Sequence, residues 1–542
     1  MHNLFSKILL GMFLKIIVKI GLLITLWGDG YYIVLNQKNP SASASASDIS
    51  YCFAVERIVL LNNTILPKDE VEKILALNEE MVCWEELLAY AEQLTELYVN
   101  SGYITSVVIV PEQKVSEEIQ LIAYEGKLEN VEISGLSRVK SAYVKSRLSK
   151  LVGRVLNIFE VEVALGQLSA DALFETVQGE LKQGSTPGST VLQVTLKEAP
   201  SFLIDLGFDN YQSPLVGELQ VQVGFNLLNL SGYGDSYQTA FQWSEGANKI
   251  INNYFLPLNS LSGGLTVFYE TTNSRVILSE LKEAGIRFQS SSYGIGWIQP
   301  IRKNSSEQLS FGISLEFKDS RSFILENQPF SFSEASVDGV TKFRVIRILQ
   351  DWVNQNPQQY FVLRTRLNFG LDSFEARLSE TFKTTPVYLF GQFQYGRRVQ
   401  SRLVLVGRFG FGFTTSPLPP PLQFEIGGPY TVRGYARPTK LGDNGIFISS
   451  ELQVALLQSD RFGSLELIPF VDFGTVWHSG NLRSFDSDGS LASIGIGFRY
   501  YFKEVLTVRL DYGIPLVEVE KVGKGISNQG FYFSIYLVPV RF

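Results

Sequence analysis

The chain has 542 residues, a formal net charge of −7, only 19% charged residues, 13% aromatics and 46 glycines. An acidic chain lacks the basic face that nucleic-acid binding needs. Two histidines, His2 and His478, all but exclude a Ser-His-Asp triad or a multi-histidine metal centre, and the length implies two or three domains.

Residues 1–46 read as a secretory signal peptide. Lys7, Lys15 and Lys19 precede the apolar run 20–27, and the alternating Ser-Ala stretch 41–46 supplies small-residue cleavage sites. A membrane anchor is the alternative reading of that stretch. Cleavage would start the mature chain near residues 45–47. The only two cysteines, Cys52 and Cys83, fall in one short region. A single structural disulfide suited to an oxidising compartment and two unrelated buried thiols both fit.

Residues 52–126 follow the order strand, helix, helix, strand, strand. The first strand is 55–61, and Pro67 suits the first turn of a helix running to Leu77. Leu87, Leu88, Ala91, Leu94 and Tyr98 then recur at helical spacing over 84–100, before strands at 103–110 and 118–124. Residues 127–199 repeat the order, with a strand at 128–133, helices at 139–150 and 158–171, and strands at 174–180 and 191–197. A repeat spaced about 70 residues means two copies of one unit.

From residue 200 to 542 the period changes to two. In 361–371, Arg364, Arg366 and Asn368 share one face, while Phe361, Leu363, Leu367 and Phe369 share the other. In 506–512, Arg509 and Asp511 make the polar face. Sixteen such strands are counted between 201 and 541. Their polar face carries charges and glycines, which suits a transmembrane barrel and not a soluble sandwich with a shared apolar core. Connectors after even-numbered strands are short and most after odd-numbered strands are long. Short turns face the periplasm in outer-membrane barrels, so the two N-terminal modules are expected there, and 414–444 becomes the sixth outside loop.

That loop contains Gly427-Gly428-Pro429-Tyr430-Thr431-Val432-Arg433-Gly434-Tyr435. Proline removes a ladder donor and glycine weakens a strand, so the segment cannot be regular. It reads as a loop that holds Arg433 somewhere specific. Further on, Phe470-Val471-Asp472-Phe473-Gly474 lies in the thirteenth strand, where an inward Asp472 could receive Arg433.

Val432-Arg433-Gly434-Tyr435 followed by Phe470, Asp472 and Gly474 resembles the paired signature of two-partner secretion transporters. These form the haemolysin/haemagglutinin secretion-activation family, within the outer-membrane insertase superfamily. Gly102-Tyr103-Ile104, Pro111-Glu112-Gln113 and Glu125-Gly126 are similar to that family's first polypeptide-transport-associated (POTRA) domain. The resemblance implies two periplasmic α+β POTRA modules (β-α-α-β-β) followed by a 16-stranded antiparallel transmembrane β-barrel in the outer membrane of a Gram-negative-type cell. It implies a plug loop at 414–444, anchored inside the barrel by a guanidinium–carboxylate pair between Arg433 and Asp472. Some family members carry a further plug helix before the first module. Too few residues separate the cleavage site from Phe53 for one here, which makes the sixth loop the main plug.

The resemblance further implies a large secreted exoprotein as partner, received unfolded at open sheet edges. Gly102, Tyr103, Pro111 and Gln113 either touch this client or only stabilise the fold. The other expected partners are outer-membrane lipid and the barrel-assembly machinery, which would read the terminal aromatic Phe542. No enzyme activity, cofactor or metal is expected, and no phosphate-binding G-x-x-x-x-G-K-[ST] motif occurs. The alternative is an outer-membrane protein insertase or assembly factor. Such proteins usually carry more periplasmic modules, and a solute porin needs none. Pro539 in the last strand is expected to weaken the seam between the last and first strands.

Overall fold

A computed structural model describes residues 52–542 apart from 78–80, 305, 374–375, 380–381, 383–384, 480–487, 522 and 542. The signal-peptide reading of 1–46 and the C-terminal Phe542 therefore lie outside the described residues.

In the first module, strand Arg57–Leu61 pairs in parallel with Glu118–Tyr124, which pairs antiparallel with Val107–Ile109. Helices Lys68–Ile74 and Trp84–Asn100 supply the core against this sheet, the longer one through Leu87, Ala91, Leu94 and Tyr98. The Glu86 carboxylate accepts a hydrogen bond from the Cys83 backbone N at 2.7 Å, satisfying a donor at the N-terminus of the longer helix. Two local expectations are corrected. The strand expected at 103–110 shrinks to 107–109, because Gly102 takes φ +92° and Ser106 N then turns back to the Tyr103 carbonyl at 3.0 Å. A short ladder of Cys52–Ala54 with Met81–Cys83 went unforeseen, since three-residue strands carry no readable period. Cys52 and Cys83 are disulfide-bonded.

The second module repeats the plan. Lys127–Ser134 runs parallel to Ser189–Glu198, which pairs antiparallel with Phe174–Gln183. Helices Ser141–Leu148 and Ile158–Ser169 pack on it. The Asn157 side chain caps the second helix by accepting from Phe159 N at 2.9 Å.

The remaining chain closes into a barrel of sixteen antiparallel strands among the described residues. They are β1 (Phe202–Asp209), β2 (Gln220–Leu228), β3 (Ser236–Trp243), β4 (Ala247–Pro257), β5 (Gly264–Arg275), β6 (Arg287–Lys303), β7 (Glu307–Ile324) and β8 (Val340–Gln355). Then follow β9 (Gln359–Gly370), β10 (Val387–Gln400), β11 (Leu403–Thr414), β12 (Asn444–Ser459), β13 (Gly463–Trp477), β14 (Gly489–Phe502), β15 (Leu506–Pro515) and β16 (Phe531–Arg541). Last pairs with first, Ser534 opposite Asp209. β6, β7 and β8 reach 17, 18 and 16 residues, well beyond the roughly ten that span a bilayer.

Alternation decides the two faces. On β13, Val471 and Phe473 point out and are exposed, whereas Phe470 and Asp472 point in and are buried. The outward row repeats around the barrel in Val221, Tyr269, Ile295, Ile313, Ile348, Leu405, Ile448 and Ile496, all exposed. Water would penalise an apolar belt of that extent, and hydrocarbon does not. No helix among the described residues is long and apolar enough to cross a membrane.

The short turns meet the second module. Lys140 N donates to the Gly232 carbonyl in the β2–β3 turn at 2.9 Å, and Arg147 Nη2 donates to Ser262 Oγ in the β4–β5 turn at 3.1 Å. Leu228 packs against the module's core. Modules and short turns therefore share one end of the barrel, and the long loops share the other.

Candidate functional site inside the barrel

Residues 415–443, between β11 and β12, fold inward. A small hairpin pairs Phe424–Ile426 with Lys440–Gly442. Asp443 pins its base, accepting from Leu418 N and Ser479 N at 2.8 Å each and from Gln423 Nε2 at 3.1 Å. Between the hairpin strands the glycines do the turning. Gly427, Gly428 and Gly434 have φ of +103°, +96° and +99°, a region a side chain strongly disfavours.

This geometry drives Arg433 onto the inner faces of β12 and β13, where it is 0% exposed. Its Nε and Nη2 donate to Asp472 Oδ2 and Oδ1 at 2.7 and 2.8 Å, and its backbone N donates to Oδ2 at 3.1 Å. Nη1 donates to Glu451 Oε1 at 2.7 Å and Nη2 to Ser449 Oγ at 3.2 Å. The guanidinium carbon lies 3.4 Å from the centroid of the Phe470 ring. A planar fork on a carboxylate with one face on an aromatic ring is a geometry that arginine alone can fill.

Two further arginines close the network. Glu451 Oε1 also accepts from Arg509 Nη2 at 3.1 Å and Arg408 Nη2 at 3.3 Å. Arg509 Nε donates to Asp511 Oδ2 at 2.5 Å, and Asp511 Oδ1 lies 3.6 Å from Arg433 Nη1. Arg408, Arg433 and Arg509 thus face Glu451, Asp472 and Asp511, three charges of each sign. Burying ions is costly unless they are paired and hydrogen-bonded; here each ion is paired, and Arg408 Nε is left as a buried donor without a hydrogen-bond partner among the described residues.

The rest of both motifs packs around this centre. Val432 joins Ile426, Tyr435, Val476 and Leu491 in a small apolar cluster. Tyr435 OH lies 2.7 Å from the Ala492 carbonyl and accepts from Val517 N at 3.0 Å, while Tyr532 OH donates to the Tyr435 carbonyl. Gly474 leaves room on β13 for the loop: a Cβ there would sit 2.9 Å from Val432 Cγ2. Gly434 lies against Gly513 of β15, whose added Cβ would come within 2.6 Å of Gly434 N.

The module residues singled out by sequence make contacts within and between the two modules. Gly102 is where the modules meet: a Cβ there would strike the Phe159 ring at 2.6 Å, and the Gly102 carbonyl accepts from Ile158 N at 2.9 Å. Tyr103 stands edge-on to Tyr98, ring centroids 6.4 Å apart. The Gln113 side chain substitutes for a missing strand, donating to the Gln120 carbonyl at 2.8 Å and accepting from Gln120 N at 2.9 Å. Pro111 precedes it at the strand end, its carbonyl 3.4 Å from Gln113 Nε2. His478 Nδ1 lies 2.7 Å from Asp488 Oδ1 in an outside loop. No cluster of metal-ligating side chains occurs among the described residues.

Comparison with known proteins agrees with this architecture. Residues 53–126 match the ShlB-type POTRA domain, and residues 188–500 match the haemolysin secretion/activation protein family ShlB/FhaC/HecB. The outer membrane transporter CdiB of Escherichia coli is 24% identical over 508 residues, 88% of this chain and 81% of that protein. The hemolysin transporter protein ShlB of Serratia marcescens is 22% identical over 479 residues, 84% and 80% of the two chains. The solved structure of CdiB from Escherichia coli superposes with a TM-score of 0.69 at 19% identity, covering 92% of this chain and 93% of that one, and so shares the fold. The barrel sits in the outer membrane with its POTRA region in the periplasm, and family members are transporters, not enzymes. The chain belongs to the haemolysin secretion/activation protein family ShlB/FhaC/HecB, whose members are the outer-membrane transporters of two-partner secretion.

Proposed function

We propose that the chain binds one unfolded partner exoprotein through its periplasmic modules and passes it through the barrel to the outside without nucleotide hydrolysis. The observation that carries this reading is the burial of Arg433 on Asp472 and Glu451, which holds the sixth loop in the lumen as a plug. A solute pore would have no use for a loop anchored by three buried carboxylates. The modules offer edge strands Arg57–Leu61 and Lys127–Ser134, the second already capped at Lys127–Leu128 by residues 153–155 and open beyond them, to which an extended segment can add by backbone hydrogen bonds. Direction comes from folding of the client outside, since the sequence has no phosphate-binding loop. Phe542 serves as the tag for the barrel-assembly machinery that inserts the chain into lipid.

Arg433→Ala tests the proposal in cells expressing the partner exoprotein. Secretion falls while the barrel still assembles in the outer membrane. Native secretion by that variant would remove the plug's role.

A further inference from the structure

Resting on that reading, we propose that the client's path is a basic slot between the sixth loop and the wall β7–β10, and that it favours acidic extended polypeptide. Two adjoining cavities, about 390 and 170 Å³, lie there and share Arg366, Phe390 and Gln423. The loop supplies one side through residues 421–425, Tyr430 and Arg437, and the barrel wall supplies the other.

The two sides of the loop differ in charge balance. Toward β11–β15, three arginines meet three carboxylates and every carboxylate is held. Toward β7–β10 the count is uneven. Arg347 pairs with Glu316 at 2.7 Å, Arg437 with Glu425 at 2.7 Å and Arg364 leans on Asp351 at 3.6 Å. Lys318 and Arg366 line the same space with no carboxylate within 4 Å among the described residues. Five cations thus face three anions, in a chain whose net charge is −7.

A cleft with low-dielectric walls and charge of one sign focuses its field along the slot. Lysine and arginine carry only donors, so they match backbone carbonyls and acidic side chains and repel basic ones. The loop itself need not leave for this path to open. Withdrawing Arg433 would strip Asp472 of the three hydrogen bonds it accepts among the described residues, whereas the two cavities lie beside the docked loop.

The test uses the full chain in planar bilayers, with oligo-glutamate and oligo-lysine peptides as probes. Currents are expected to be anion-selective in a KCl gradient, and oligo-glutamate blocks them while oligo-lysine does not. Lys318→Glu with Arg366→Glu reverses the selectivity and weakens the oligo-glutamate block by roughly tenfold or more. Arg366→Gln, the milder change, gives an intermediate selectivity. Gln222→Glu on β2, five strands from β7 and seven from β9, leaves the block as it was. Cation selectivity in the native chain, or equal block by both peptides, overturns the slot. Native-rate secretion of the partner by the double variant also overturns it, with the transporter reading intact. Selective block without any secreted partner would instead strike the transporter reading and leave the slot standing.

Discussion

Among the described residues, Asp472 accepts three hydrogen bonds, and all three come from Arg433. The pair is therefore exclusive on the carboxylate side but shared on the guanidinium side, where Glu451 and Ser449 also take part. Removing one partner of a buried pair costs about 3–5 kcal/mol, because the other charge stays buried. Asp472→Asn should accordingly destabilise loop docking by that order. Arg433→Met combined with Asp472→Leu should cost less than the two single losses added together. Protease access to the sixth loop in intact cells reads both, and additive losses would show that the two residues act separately.

A second test leaves every charge in place. Gly513 of β15 carries no side chain where the loop backbone passes, and a Cβ there would stand 2.6 Å from Gly434 N and 2.8 Å from the Arg433 carbonyl carbon. Overpacking of this kind typically costs about 1–3 kcal/mol. Gly513→Ala should loosen the loop and give larger, less steady currents, while the strand ladder stays intact. Native currents from this variant would mean that β15 does not seat the loop.

The strands were legible because a barrel wall obeys a period of two, and parity of connector lengths gave the sixth loop without the motif. Arg509 and Asp511 stood out as the polar face of β15 on the same pattern. Glu451 did not, although it bridges all three arginines. Alternation marks a residue as inward but cannot say which inward charges converge; that depends on β12, β13 and β15 curving around one loop. Gly102 and Gln113 carried a family signature whose physical content appeared only with coordinates: one permits the two modules to touch, the other replaces a strand. The ladder of Cys52–Ala54 with Met81–Cys83 was invisible because three residues hold no period.

In the second module, Glu198 accepts from the backbone N of Ser137, Arg138 and Val139, at 2.7, 2.9 and 2.9 Å. Burial raises its carboxyl, but these amide donors outweigh it and lower the group to about 2 from an ordinary 4.5. A depressed folded value stabilises the module above the unfolded value, and that contribution fades as pH falls from about 4.5 through about 2. Glu198→Gln should speed hydrogen exchange at 137–139 near neutral pH. The difference from the native chain should vanish near pH 2; a difference that persists there would show a structural effect independent of charge.

The ladder that closes the barrel between β16 and β1 is interrupted near one end. Ser534–Leu537 pair with Asp209–Leu206, then the register slips, and Val540 meets Ile204. Val538 and Pro539 therefore stand opposite the single residue Asp205. Asp205 turns to other partners, accepting from Asn226 Nδ2 at 2.8 Å. Val538 N donates to the Val505 carbonyl, away from the seam, and Pro539 has no N–H to give. A bulge of this kind bends the strand and ends regular pairing. Toward the outer rim the seam is firmer, since Asn210 donates to the Phe531 carbonyl at 2.9 Å and accepts from Phe533 N at 2.8 Å. Opening would thus start at the periplasmic end, where the client arrives. Pro539→Thr restores a donor and should slow hydrogen exchange across 203–206, leaving 207–210 little changed. Unchanged exchange at 203–206 would mean that the proline does not set the looseness of the seam.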